Sequence, residues 1–376
     1  MSKRLLITST DLMMVQFLIP HVIYLSENGF EVEIACSDVG GRMDEIREKL
    51  KGVVKDIHIV RLVRSPASPT NFKGYGDMKK VINRGNYDVI WTNEPVMGVT
   101  TRLAARKARK KGTKVIYMVH GFHFYEGAPK VNWMMFYPIE KFAGHFCDNV
   151  VTMNLEDFNR AKKMKLPDVK YIHGIGMNPY RLSEGEVKND IRSELGIRED
   201  APIVLSIGEL SKRKNQKTIV SAMAMMKKKD VHYLLCGKGD QLENLTNQAK
   251  ELGIDSRVHF LGYRTDVVDI CKQANVFVMP SLHEGLPVAA LESMYSGVPM
   301  VVAKIRGLVD IIVDGKNGFL CHPDDSERFA EKIECLLNDS ELSNKMVEQN
   351  KEIVVPFCIQ STKKEVWDLM DDLANN

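Results

Sequence analysis

Two glutamates that stand eight positions apart are the residues of this chain whose types and spacing best suit ligand chemistry. Glu284 lies in a glycine- and proline-containing loop, and Glu292 lies one turn inside the helix predicted to follow. Residues 276–281 are typical of a buried strand, so Pro287 falls near a helix start, where backbone N–H groups can hold an anion or hydroxyls. We expect Glu284 to accept hydrogen bonds from a polyol and Glu292 to bind a second diol. The alternative is a solvated helix with two surface glutamates.

A basic loop follows the apolar run at residues 202–208. Lys212, Arg213 and Lys214 stand between Gly208 and a predicted helix. Lysine supplies a point charge and arginine a planar fork of donors, and both suit a diphosphate held at a helix start. The alternative is a basic surface loop without a ligand.

Strand-like runs alternate with amphipathic segments along the chain, which predicts an α/β fold with two doubly wound parallel sheets. The predicted strands are residues 4–10, 31–37, 56–60, 87–92, 113–119, 149–153, 169–173, 202–208, 231–236, 258–261, 276–279, 300–303 and 318–321. We expect one domain over 1–183, a second over 184–355, and a terminal helical segment over 356–376. Ligands of doubly wound sheets bind beyond the carboxyl ends of strands, where the glutamates and the basic loop both lie.

Composition excludes several classes of protein. A length of 376 residues favours two domains, and a net charge of +3 is too small to argue for a nucleic-acid partner. The seven cysteines form no C-x-x-C pair, which argues against a disulfide framework or a zinc site and favours reduced thiols in a cytoplasmic protein. No run approaches the ~18 apolar residues of a membrane span, and no signal peptide precedes the first strand. A full G-x-G-x-x-G is absent, which counts against an NAD enzyme.

The segment from Glu284 to Glu292 resembles the E-x7-E motif of the retaining glycosyltransferases of family 4, of the bacterial polysaccharide type. The likeness covers nearly the whole chain and is strongest over residues 203–320. It implies the GT-B fold, in which two Rossmann-like domains face each other across a cleft and the C-terminal helix crosses back to the first. It also implies that a sugar moves, with retention, from a nucleotide-diphosphate donor, UDP being the usual nucleotide, to a hydroxyl of a glycan or lipid-linked acceptor. The first domain would bind the acceptor and the second the donor.

The resemblance also implies roles for residues at matching positions. Glu284, Lys214 and His120 would be catalytic, and the leaving phosphate would take the acceptor proton without an enzymic base. The implied donor contacts are Gly208, Arg213, Lys214, Gly262, Tyr263, Arg264, Glu284, Gly285, Leu286, Pro287, Val288 and Glu292. No metal or other cofactor is implied. Arg306 and Gly307 also resemble a loop of the family, but they are assigned no catalytic role.

Several features leave alternatives open. Glu209 stands where many relatives carry arginine, and the loop at residues 8–13 lacks their Gly-Gly, which puts acceptor contacts there in doubt. Residues 102–111 form a predicted basic helix, either a solvated face or a contact with the anionic inner face of the cell membrane. A second candidate is a nucleotide-sugar epimerase, for which we find no acid and base groups beyond His120 and His283. A third is a nucleotide-sugar-binding partner without turnover.

Overall fold

The computed structural model describes residues 2–179 and 187–375, and the chain divides into two compact units. The first unit is Met1–Gly176 with Ile359–Asn376, and the second is Met177–Cys358. The predicted boundary between residues 183 and 184 lies outside the described residues. The predicted terminal segment begins three residues too early, because residues 356–358 belong to the second unit.

The first unit is built on one parallel sheet of seven strands. The strands are β1 Lys3–Ser9, β2 Phe30–Cys36, β3 Asp56–Ile59, β4 Val89–Asn93, β5 Lys114–Val119, β6 Asn149–Thr152 and β7 Val169–Tyr171. They lie in the order β3-β2-β1-β4-β5-β6-β7. The central strands are buried apolar runs rather than alternating ones, which is typical of a parallel sheet covered on both faces.

Helices connect these strands. They are α1 Leu12–Glu27, α2 Met43–Lys49, α3 Thr70–Gly85, α4 Pro95–Ala104, α5 Arg106–Arg109, α6 Lys130–Gly144 and α7 Leu155–Lys163. The C-terminal helix, Ile359–Asn375, also belongs to this unit and contacts α1. Lys3 Nζ lies 2.7 Å from Asp371 Oδ1, and Trp367 Nε1 donates to Asn28 O at 3.1 Å. The predicted return of the C-terminal helix to the first domain is therefore confirmed.

The second unit has a parallel sheet of six strands. These are β8 Ile203–Ile207, β9 His232–Cys236, β10 Val258–Gly262, β11 Val276–Met279, β12 Met300–Ala303 and β13 Phe319–Cys321. Their order is β10-β9-β8-β11-β12-β13, so the chain reverses direction across the sheet between β8 and β11. Its helices are α8 Ile191–Leu195, α9 Lys217–Met225, α10 Leu242–Glu251, α11 Val267–Gln273, α12 Val288–Tyr295, α13 Ser326–Asn338 and α14 Ser340–Ile353. Short 3₁₀ turns occupy Asp255–Arg257 and Val355–Phe357.

The predicted α/β fold with two doubly wound sheets is correct. Each strand in the described part of the chain overlaps a predicted one, and the ends differ by at most two residues. Each unit also has its own apolar core, which surrounds its own sheet. Because β8 and β11 are neighbours, the loops that follow them must meet at one edge of the second sheet.

Candidate functional site

The site lies at the carboxyl edge of the second sheet, where the loops after β8 and β11 meet. The loop after β8 carries Arg213 and Lys214, and the loop after β11 carries Glu284. Leu282 N donates to Arg213 O at 2.8 Å, which joins the two loops through their backbones. Crevices at such switch points are the usual ligand sites of doubly wound sheets.

One carboxylate oxygen of Glu284 contacts both cations. Lys214 Nζ lies 2.8 Å, and Arg213 Nη1 2.9 Å, from Glu284 Oε1. Glu284 is buried, and burial alone would raise its pKa. The charges of Lys214 and Arg213, with hydrogen bonds from Lys214 and Ser281, together outweigh burial, so the pKa of Glu284 is held below its ordinary value. The sequence predicted Lys214 and Arg213 for a diphosphate and Glu284 for a polyol, and the structure joins the three in one ion cluster.

The helix that follows Glu284 presents its N-terminus at this edge. Pro287 immediately precedes α12 with φ −81° and ψ 106°, and its carbonyl accepts from Ala290 N at 3.1 Å. Gly285 and Leu286 lie in the loop between Glu284 and Pro287, and Val288 is the first helical residue. Glu292 is the fifth residue of α12 and is half-buried. The predicted order of strand, loop, proline and helix is therefore correct.

Arg306 and Gly307 support the Glu284 loop from the next strand along the sheet. Arg306 is buried, and its Nε donates to Glu284 O at 2.9 Å. Gly307 has φ +79°, and a Cβ there would lie 2.2 Å from Gly285 O. Sequence reasoning assigned this pair no catalytic role. Their position after β12, at the same sheet edge as the site, was the signal that could have linked them to Glu284.

Glycines let three loops of the second unit pack backbone against backbone. Gly208 N donates to Cys236 O at 2.9 Å, and Gly237 N donates to Gly262 O at 2.7 Å. Gly237 has φ +156°, and a Cβ there would lie 1.8 Å from Gly208 O. No local sequence pattern signals the contact of Gly237 with Gly208, because the two residues follow different strands.

The segment after β10 carries an exposed aromatic side chain, Tyr263, and an arginine, Arg264, that is already paired with carboxylates. Tyr263 is 70% exposed next to Gly262, the last residue of β10. Arg264 donates to both Glu194 oxygens at 2.8 and 2.9 Å, and to Asp266 Oδ2 at 2.5 Å. A contact of Arg264 with the sugar donor stays a prediction, although the carboxylates of Glu194 and Asp266 already hold its guanidinium.

His120 lies at the carboxyl end of β5 in the first unit, whereas Glu284 belongs to the second. His120 Nε2 lies 2.9 Å from Asn93 Oδ1. Burial lowers the pKa of His120 to about 4, so the imidazole is neutral near pH 7. Its predicted contact with a sugar stays a prediction.

Glu94, a residue that sequence reasoning missed, stands one position beyond β4 in the first unit. It has φ +63°, which non-glycine residues rarely adopt, and its Oε2 accepts from Ser9 Oγ at 2.8 Å and Thr10 N at 2.7 Å. Burial, and to a smaller extent the charge of Asp11, raises the pKa of Glu94. The first unit thus also gathers polar groups at its carboxyl edge.

The predicted basic helix over residues 102–111 is wrong in two respects. Arg102 is completely buried, and its Nη2 donates to Glu140 Oε2 at 2.7 Å. The helix also ends at Ala104, before the short α5 begins at Arg106. Arg102 therefore belongs to the interior and cannot contact a membrane surface, because its side chain is completely buried against Glu140.

Within residues 2–179 and 187–375, no cluster of three or more His, Cys, Asp or Glu side chains is placed to hold a metal ion. The seven cysteines are free thiols, six of them buried. None of the helices described here has both the length and the apolar character that a membrane span requires.

The chain matches known proteins over both units. Residues 21–173 match the profile of Glycosyltransferase Family 4, and residues 187–353 match that of Glycosyl transferases group 1. The putative glycosyltransferase EpsD of Bacillus subtilis (strain 168) is 35% identical over 376 residues, which span 98% of this chain and 96% of that protein. The chain belongs to glycosyltransferase family 4.

Two further similarities concern this glycosyltransferase. The Escherichia coli UDP-Gal:alpha-D-GlcNAc-diphosphoundecaprenol alpha-1,3-galactosyltransferase is 24% identical over 363 residues, or 94% of this chain and 92% of that enzyme. The crystal structure of Anabaena HepE in complex with UDP and glucose superposes with a TM-score of 0.80 at 19% identity, covering 98% of this chain and all of that one. The fold of the glycosyltransferase is therefore GT-B.

Proposed function

We propose that this glycosyltransferase moves a sugar, with retention, from a UDP-linked donor to a hydroxyl of a lipid-linked glycan in surface polysaccharide synthesis. The observation that carries the proposal is the contact of Lys214 and Arg213 with the Glu284 carboxylate at the switch point of the second sheet. Support for the donor and acceptor classes comes from the E. coli enzyme, whose name contains UDP-Gal and diphosphoundecaprenol, and from HepE, which was crystallised with UDP.

The leaving diphosphate gains negative charge as the bond between the anomeric carbon and its phosphate oxygen breaks. Lys214 and Arg213, with the N–H groups at the start of α12, would stabilise that charge by preorganised electrostatics. A new bond forms between the anomeric carbon and the acceptor oxygen. The acceptor proton passes to the departing phosphate, so the step requires no enzymic base and is proposed to need no metal.

The remaining predicted residues would position the donor. Glu284 would accept hydrogen bonds from sugar hydroxyls, and Glu292 would bind the ribose diol. The exposed ring of Tyr263 suits contact with the nucleobase. His120, neutral at pH 7, would contact the sugar. The enzyme would work in the cytoplasm, at the inner face of the membrane that carries its acceptor.

A transfer assay tests the proposal. UDP-sugars are incubated with a polyprenyl-diphosphate-linked sugar, with and without EDTA, and the anomeric configuration of the product is read by NMR. Acceptor-dependent UDP release with a retained configuration supports the proposal, whereas an inverted product contradicts it. Interconversion of the UDP-sugar without acceptor would indicate the epimerase, and nucleotide binding without turnover would indicate the binding partner.

A further inference from the structure

The outer face of α6 carries a continuous apolar surface. Five side chains on this face are 44% to 78% exposed, and we call them the apolar ridge: Val131, Met134, Met135, Ile139 and Phe142. Their spacing of three, one, four and three residues places them on one side of a helix. We propose that the apolar ridge inserts into the surface of a bilayer that contains anionic lipid.

The opposite face of α6 is fixed to the interior, so the ridge must point outward. Glu140 accepts from Arg102 at 2.7 Å and from Tyr117 OH at 3.0 Å, and all three residues are buried. The Tyr137 ring packs edge-on against Phe124, with centroids 5.5 Å apart. Rotation of α6 to bury the apolar ridge would break the buried ion pair between Glu140 and Arg102.

Cations border the C-terminal end of α6 on two sides, and we call them the cationic margin. Arg106, Lys107 and Lys110 line a surface hollow with His145 and Phe146 on one side. Lys141, Lys163 and Lys165 line a second hollow, again with His145, on the other side. An apolar helix face bordered by lysine and arginine is typical of helices that lie in a membrane interface.

Acidic groups near α6 do not offset these cations. Glu140 is the acidic residue of α6, and it is buried against Arg102. Asp148, beyond the helix, pairs with Arg109 at 2.6 Å. The surface around the ridge therefore has an excess of positive charge, which complements anionic headgroups.

The charge also argues against a second copy of the chain as the occupant. In a two-fold interface the same patch faces itself, so the cationic margins of the two copies would meet. Like charges brought together in this way oppose association. A bilayer with anionic headgroups complements both parts of the surface, because its acyl chains can bury the apolar ridge and its headgroups can pair with the cationic margin.

This inference goes beyond the proposed function, because it locates the contact with the membrane on α6. The sequence had left a membrane contact of residues 102–111 as one of two alternatives. Of these residues Arg102 is buried, whereas Arg106, Lys107 and Lys110 belong to the cationic margin. Membrane binding can be measured without donor or acceptor. A failure of the membrane contact is therefore distinguishable from a failure of glycosyl transfer.

The experiment is co-sedimentation of the full chain with vesicles of phosphatidylcholine, alone or mixed equally with phosphatidylglycerol. We expect binding to the mixed vesicles, weaker binding to phosphatidylcholine alone, and release at high salt. The ridge variant M134S/F142S should bind about tenfold or more weakly, because two large apolar side chains are lost. The margin variant K141Q/K163Q/K165Q should bind less and lose part of its salt dependence, because it removes three of the six margin cations.

A matched control carries the same two substitutions at apolar residues outside the ridge. Met225 in the second unit and Phe72 on α3 are 58% and 84% exposed, and M225S/F72S should bind like the unchanged chain. Equal binding by the ridge variant, or no binding to the mixed vesicles, would overturn the proposal. A dimer seen by light scattering that the M134S/F142S substitutions convert to a monomer would also overturn the proposal, since a second copy of the chain would then cover the ridge. Thermal unfolding of each variant checks that it folds.

Discussion

Lys214 Nζ and Glu284 Oε1 lie 2.8 Å apart, although the two residues come from loops 70 positions apart in the chain. The pairing of β8 with β11 brings these loops together. The two charges stabilise each other in a largely buried setting, because the Lys214 and Glu284 side chains are only 13% and 9% exposed, and Arg213 adds a second cation on the same oxygen. Removal of either partner therefore changes the charge that a bound diphosphate meets, and the predictions for the site follow from this pair.

Glu284→Gln should lower turnover far more than it weakens UDP binding. The amide keeps the size of the side chain but loses the negative charge and part of its capacity to accept hydrogen bonds from a sugar. Steady-state transfer rates and calorimetric UDP titration measure the two effects. Glu209→Gln, the same change at an exposed residue of the loop after β8, is the matched control and should leave both quantities near their original values. Unchanged turnover in Glu284→Gln would remove Glu284 from the site.

Lys214→Ala should weaken UDP binding by about 1–3 kcal/mol, the scale of a lost charge-assisted hydrogen bond. Lys212→Ala, at the exposed neighbour, serves as control and should have little effect. The same substitution made in a Glu284→Gln chain separates two explanations. If Lys214 contacts the diphosphate itself, the loss persists in that background. If the loss disappears there, Lys214 acts only as the counter-charge of Glu284.

Gly237→Ala should destabilise the second unit by about 2–4 kcal/mol, because its Cβ would lie 1.8 Å from Gly208 O in a strained backbone conformation. Gly253→Ala isolates the contribution of the clash. Gly253 also has a positive φ, +65°, but a Cβ there meets no atom within 4 Å. Urea unfolding of both variants gives the comparison. Equal losses of stability would show that the close approach of the two loops is unimportant.

The free energy of unfolding should fall as pH is lowered from about 6.5 towards 4. Burial lowers the pKa of both His21 and His120 to about 4, from an ordinary value of 6.5. The unfolded chain therefore binds protons in this window that the folded chain does not, and stability rises with pH across it. His120→Asn should reduce the slope by about one proton. A slope that does not change in urea titrations between pH 5 and 7 would show that His120 titrates alike in both states.

Secondary-structure elements were predicted well from the sequence, whereas contacts between residues distant in the chain were not. Strands such as Val276–Met279 were found because buried parallel strands are continuous apolar runs bounded by polar loops. Glu284 and Lys214 were found because they follow such strands. The contact of Arg306 with the Glu284 carbonyl joins residues 22 positions apart, in loops that follow different strands, and no local pattern signals it.

Charge patterns gave the least reliable predictions. The basic run at residues 102–111 gives no sign that Arg102 is buried, since its partner Glu140 lies 38 positions away. The pairing of Arg264 with Glu194 spans 70 positions and was missed for the same reason. The apolar ridge on α6 escaped notice because helical spacing of apolar residues usually indicates the core, and only the fold shows which face is buried.

The most direct test of the account is a thermal-shift panel of UDP, GDP, ADP and NAD, each with and without magnesium. A ligand that binds the folded state raises the apparent melting temperature by mass action, so the panel needs neither sugar nor acceptor. The account predicts that UDP stabilises the chain, independently of magnesium, and that Lys214→Ala reduces the shift. A shift with NAD alone, or none with any of the four nucleotides, would contradict it.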